Sequence, residues 1–288
     1  MSRPVPTHVV VVLGVAVLAI SSAGVLVRGL PDVHPVSIAM WRTAGASLLL
    51  APALRRVSPR DVGAIAAAGF FLAIHFASWF ASIHHTTILR STVLVCSSPI
   101  WVGLLEWAFL RRPPTSRYWL GLGVALAGVT TMGLGGDLGG GSLLGDGLAI
   151  LGGFCAALYL VIGRSVRARV GIGSYACLVC LFAALTLAPG AWLLDAPVFG
   201  WDLRAWLLIA ALTAGPQLLG HNGFNYALKY VPAATVSAVT LLEPVGATVL
   251  AALFYGEWPT ILELLGGGVL VGGVAVALHR PADPTSQT

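Results

Sequence analysis

The chain of 288 residues is 57% hydrophobic and only 9% charged, with a mean hydropathy of +0.90. Water-facing domains carry about 25% charged residues, so a soluble globular surface is excluded and lipid must cover most of this one. The net charge of +5 does not signal nucleic acid, because the basic residues form short clusters between apolar runs and no continuous stripe.

A helix needs about 20 apolar residues to cross the hydrocarbon core. Ten segments qualify: 8–28, 34–54, 61–82, 87–110, 117–134, 146–166, 171–193, 204–228, 232–254 and 259–279. The first resembles a signal peptide, but its apolar part is too long, a convincing cleavage site is lacking, and nine more spans follow. It reads as a transmembrane helix. In the second span Arg42 lies about two turns inside and needs a partner or must snorkel outward. A structural pairing is expected, with a substrate carboxylate as the alternative. In the third, His75 and Trp79 are four apart and share a face. The fourth holds Ser97, Ser98 and Trp101 around Pro99, which disturbs the helix. Glu106, near the end of that span and close to Arg111 and Arg112, reads as solvated or paired with the loop.

The glycine-rich stretch from Leu134 to Ser142 lacks the preceding strand and the Lys-Ser ending of a phosphate loop. We expect a connection over 135–145. Tyr159 sits mid-span in the sixth helix. Cys177 and Cys180 have C-x-x-C spacing but no His, Asp or Lys beside them, so they read as packing residues. His221 and Asn225 repeat the His75/Trp79 spacing in the eighth span. Glu243 falls mid-span in the ninth beside Pro244, whose ring frees a carbonyl one turn earlier. Ionisable groups within a bilayer are functional candidates by default, so Glu243 is the sharpest of these. Gly268 and Gly272 in the tenth span are expected to let helices approach closely, within or between protomers. Trp41, Trp107, Trp119, Trp192, Trp201, Trp206 and Trp258 read as anchors at the membrane interface.

Counting Lys and Arg in alternate loops orients the chain. With the N terminus inside, Arg55, Arg56, Arg60, Arg111, Arg112, Arg117, Arg164, Arg167 and Arg169 are internal, whereas Arg28, Arg90 and Arg204 are external. Both termini are then cytoplasmic. A shift of 145 residues brings Ser98-Pro99 over Glu243-Pro244, Pro114-Thr115 over Pro259-Thr260, and Gly121, Gly123 and Gly128 over Gly266, Gly268 and Gly273. The starts of the halves match at a shift of 133. Five spans per half is odd, so the second half enters from the opposite side. The basic loop at Arg111 and its acidic counterpart at Glu257 agree. The expectation is an all-α membrane fold of ten transmembrane helices in two inverted-topology five-helix repeats. Residues 1–134 form the first repeat, 135–145 a linker, 146–280 the second repeat and 281–288 a cytoplasmic tail.

Met40-Trp41-Arg42, the Ser98-Pro99 and Leu242-Glu243-Pro244 turns, and the Gly256–Thr260 run resemble the drug/metabolite transporter superfamily, EamA branch. The resemblance covers nearly the whole chain. It implies a ten-helix bundle of two inverted repeats and export of metabolites or toxic analogues. Among its branches the chain looks closest to bacterial amino-acid exporters with aromatic substrates. Ser98 stands where the second repeat has Glu243, so a paired-acid mechanism finds no support.

Taken together, His75, Trp79, Ser97, Ser98, Trp101, Tyr159, His221, Asn225 and Glu243 are the candidate substrate-binding residues. Arg42, Pro99 and Pro244 are structural or ion-pairing. Such a lining suits a zwitterionic or weakly polar metabolite and not a phosphate sugar. We expect a multi-pass secondary transporter of the cytoplasmic membrane working by alternating access. No catalytic residue, cofactor, metal or nucleic acid is implied, and a homodimer is compatible. Export of drugs or quaternary amines is the alternative substrate class. A membrane enzyme or a non-transporting receptor or scaffold are the alternatives of other classes.

Overall fold

The three-dimensional structure is a computed structural model. It describes residues 5–86, 88–111, 113–134, 142–256 and 258–279, and the side chains of all of these except 83, 84, 88–90, 92 and 110. Among the described residues every regular element is helical. Helices α1 (Thr7–Ser21) and α2 (Ala23–Arg28) meet at Ser22, and α3 (Pro35–Leu50) runs into a short 3-10 turn at Ala51–Ala53. Next come α4 (Pro59–His85), α5 (Ile88–Val95), α6 (Ser98–Leu110) and α7 (Ser116–Leu134). After these come α8 (Leu143–Arg167), α9 (Ile172–Leu193) and α10 (Leu203–Leu212), which widens into a π-helical segment, Thr213–His221, before α11 (Asn222–Ala227). The chain ends in α12 (Ala233–Thr240), α13 (Glu243–Tyr255) and α14 (Ile261–Leu278).

Local chemistry accounts for many of these ends. Ser58 accepts from the Asp61 amide at 3.2 Å with Pro59 in the first turn, and Asp202 accepts from the Ala205 amide at 2.8 Å. Thr260 and Glu263 form a reciprocal capping box at the start of α14. The helix predicted over 146–166 begins earlier, at Leu143, because Ser142 accepts from the Gly145 amide. The connection expected over 135–145 therefore overlaps α8, and residues 135–141 lie outside the described part.

Among the described residues, seven continuous helical stretches are long and apolar enough to cross a bilayer, and Val93–Phe109 is a shorter apolar one. The second and fifth predicted spans are helical as α3 and α7 but fall outside that set; α3 has only 16 residues. Boundaries recur along the chain. Displaced by 145 residues, α5 falls on α12, α6 on α13, and the start of α7 on the start of α14. Both α6 and α13 end on a left-handed residue, Arg111 at φ 51° and Gly256 at φ 68°.

The principal packings join an early helix to a late one: α4 with α8 and α9, α3 with α9, α1 with the π segment, and α7 with α14. The α7/α14 pair is very close. A Cβ on Gly121 would meet the backbone of Ala277, and one on Gly128 the backbone of Leu270; Gly266 and Gly273 are confined in the same way. Gly268 and Gly272, expected to let helices approach closely within or between protomers, have open space around them within the chain. The helical phase decides it, because they lie on the far side of α14 from Gly266 and Gly273.

Candidate functional site

The centre of the bundle holds a buried cation. Arg42 on α3 is 1% exposed, and its Nε donates to Gln217 Oε1 at 3.0 Å. Its guanidinium lies 4.5 Å from the ring centroid of Phe76, whereas Nη2 has no hydrogen-bond partner. Gln217 is carried by the π segment, and its Nε2 donates to Cys180 Sγ at 3.5 Å. The segment contains Pro216, which has no amide hydrogen and crowds the carbonyl four residues back, so a wider turn accommodates it. The expected structural partner of Arg42 is thus an amide and not an acid. Gln217 gave no signal in the sequence because its neighbours carry no recognisable motif.

Glu243 stands at the first position of α13, just after the break at Leu241-Leu242, with Pro244 following. The helix interruption read from Pro244 is present, with Glu243 at the start of α13 and in the middle of the apolar stretch Ala233–Tyr255. Glu243 is half-buried, and its backbone carbonyl accepts from Ser21 at 3.1 Å. Its carboxylate is near enough to Arg42 for the two charges to interact. The equivalent break in the first half lies at Cys96-Ser97, and the Pro99 carbonyl accepts from the Tyr118 hydroxyl at 2.8 Å.

His75 and Trp79 do share a face of α4. Their rings stack 6.0 Å apart with 13° between planes, and His75 Nδ1 lies 2.9 Å from the Gly152 carbonyl. Gly152 and Gly153 on α8 admit this face and the α5–α6 break together, because a side chain there would press on Ser78, Val95 and Ser97. Trp101 sets its ring edge-on to Phe154 at 5.4 Å. The indole nitrogens of Trp79 and Trp101 and the hydroxyl of Ser97 are buried without partners. Ser98 is buried beside them in sequence.

Tyr159, His221 and Asn225 divide differently from the expected second face. His221 sets its ring edge-on to Phe76 at 5.3 Å, joining the Arg42 group. The Tyr159 hydroxyl donates to Asn225 Oδ1, and Asn225 is fully buried. Those two groups satisfy each other. Arg167, placed in a basic loop by sequence, is 2% exposed and donates to the carbonyls of Asn225, at 2.9 Å, and Val170.

Glu106 corrects the expectation of a solvated acid. It is 4% exposed, and its two oxygens accept from the amides of Ala233 and Ala234 at 2.8 and 3.2 Å. The free first turn of α12 follows Pro232, and the carboxylate of α6 caps it from across the bundle. A cavity of about 1,080 Å³ lies between α1, α12 and the ends of α7 and α14, with Glu106 in its wall. None of the nine candidate binding residues lines it.

The sequence matches the EamA-like transporter family twice, over residues 8–134 and 143–278. The chain belongs to the EamA-like transporter family. Its relatives carry matching names. The uncharacterized transporter YwfM of Bacillus subtilis (strain 168) is 27% identical over 206 residues, 70% of this chain and 69% of that protein. The uncharacterized transporter YdfC of the same organism is 26% identical across 85% of this chain and 82% of its own length. An uncharacterized transporter of Archaeoglobus fulgidus is 26% identical over 76% of this chain and 78% of that protein. One solved crystal structure shares the fold, with a TM-score of 0.80 at 20% identity, covering 94% of this chain and 96% of the other. This EamA-like protein is a multi-pass membrane transporter.

Proposed function

We propose that the chain is a secondary transporter that exports small amino-acid-like metabolites by alternating access between two inverted five-helix halves. In this reading all ten helical passes cross the cytoplasmic membrane, and both ends lie inside. One observation carries the substrate class: the buried Arg42 hydrogen-bonds an amide and not an acid, and its Nη2 and the indole nitrogens of Trp79 and Trp101 are buried without partners. An isolated charge is costly there, and a zwitterion supplies the opposite charge at each pole. Its carboxylate suits Arg42 Nη2 and the indole N–H groups of Trp79 and Trp101, and its ammonium suits Glu243. His75 and Trp79 offer a flat surface for an aromatic side chain.

The test is uptake into liposomes holding the purified protein, with neutral amino acids, amines lacking a carboxylate, acids lacking an amine, and sugars, each with and without a pH gradient. Saturable movement of the zwitterions above protein-free liposomes supports the proposal. Preference for the amines alone points to a drug or quaternary-amine exporter. Chemical alteration of a solute points to an enzyme, and no movement of any solute to a receptor or scaffold.

A further inference from the structure

The 1,080 Å³ cavity lies apart from the Arg42 centre and is assigned nothing by the transport reading. Its volume is at the upper end of the ~300–1,000 Å³ typical of small-molecule pockets. One wall is a single face of α1, with Val10, Leu13, Gly14, Val17 and Leu18 at helical spacing. The opposite wall is α12, with Ala234 and Val239, and the break after it, with Leu242. Val10 is 57% and Leu18 67% exposed, so the trench is continuous with the lipid-facing surface. Apolar walls opening sideways in a bilayer take up hydrocarbon, because water there has no partners.

The mouth differs from the walls. Thr115, Ser116, Arg117 and His279 gather there, at the end of the bundle that also carries Arg111. Among the described residues of the lining the only carboxylate is Glu106, and its oxygens are engaged by the α12 amides. Arg117 and His279 are the basic groups among the described residues of the lining, and one of them is a fixed cation. A chain-length apolar trench with a basic mouth is complementary to an amphiphile with an anionic head.

We propose that this groove binds an anionic phospholipid from the leaflet at the basic end of the bundle. Its acyl chain lies between α1 and α12, and its phosphate lies against Arg117 and His279. The site is independent of what the transporter carries. Bound there, the lipid fills the gap between α1 and α12 that protein side chains leave open.

The test uses the full chain in nanodiscs of phosphatidylglycerol or of phosphatidylcholine with matched chains, each lipid bearing a photoreactive acyl chain. Crosslinks to α1 and α12 residues such as Leu13 and Val239 are expected, with phosphatidylglycerol favoured about fivefold, the effect of one basic side chain near the headgroups. Arg117→Gln should remove the preference while leaving the crosslinks. Gly14, whose Cβ position meets nothing within 4 Å, permits Gly14→Trp to fill the trench, and this variant should lose the crosslinks while keeping its melting temperature. Equal labelling by both lipids, or labelling unmoved by Gly14→Trp, would overturn the proposal. So would rapid reaction of Leu13→Cys with a charged, water-soluble thiol reagent, which would make the groove an aqueous vestibule.

Discussion

At the residue scale the chemistry concentrates where side chains lack partners. Glu243 has a carboxylate with no polar side chain bound to it, whereas its backbone is held by Ser21. Glu243→Gln should therefore fold normally and lower initial uptake at least about tenfold, equivalent to ~1.4 kcal/mol of lost interaction; unchanged uptake in liposomes would remove the residue from the site. Gln217 plays the opposite part. Its side chain satisfies Arg42 Nε and reaches Cys180, so Gln217→Leu leaves a buried cation with one fewer acceptor. A loss of about 1–3 kcal/mol is expected, read as a lower unfolding midpoint in detergent, and Arg42→Met in the same chain should recover part of it. Trp101→Ala and His75→Ala should shift the profile of accepted solutes more than they shift stability. These roles were unevenly legible. Glu243 and Arg42 stood out because ionisable residues are rare in apolar runs, and Gln217 did not because a neutral amide is unremarkable in sequence.

At the element scale, breaks and close contacts set the geometry. Prolines at 99 and 244 announced the interruptions of α5–α6 and α12–α13, since a ring without an amide hydrogen suits the first turn of a new helix better than the interior of a continuous one. The α7/α14 contact was only half legible. Glycines were visible in both helices, yet the face they present depends on the phase of each helix against its neighbour. Gly128→Leu should separate the pair, because its side chain would enter the Leu270 backbone, costing about 1–3 kcal/mol or more. Gly268→Leu should be tolerated, and a comparison of their melting temperatures decides between the two faces. Glu106 teaches the same lesson. Its neighbours in sequence are arginines, yet its carboxylate also holds the amides of Ala233 and Ala234, 127 and 128 residues away.

At the scale of the whole molecule, the recurrence of helix boundaries at a constant offset and the doubled family match fit a chain built from two related halves. The proposed orientation rests on the basic loops, and it is testable with single cysteines at exposed positions. Asp32→Cys, in the turn between α2 and α3, should react with an impermeant reagent applied to intact cells. Arg56→Cys, between the 3-10 turn and α4, should react only after the membrane is opened. The reverse pattern would invert the topology.

The sequence by itself determined that lipid surrounds this protein, where its helices lie, and that its family is that of EamA-like transporters. Hydrophobic run length, proline chemistry and charge alternation are local properties, written in consecutive residues. Only the tertiary structure decided which polar groups meet. Arg42 with Gln217, Tyr159 with Asn225, and Glu106 with α12 all join residues more than 60 positions apart. In a medium without water an unpaired buried donor is costly, and which acceptor lies within reach is fixed by how the helices pack.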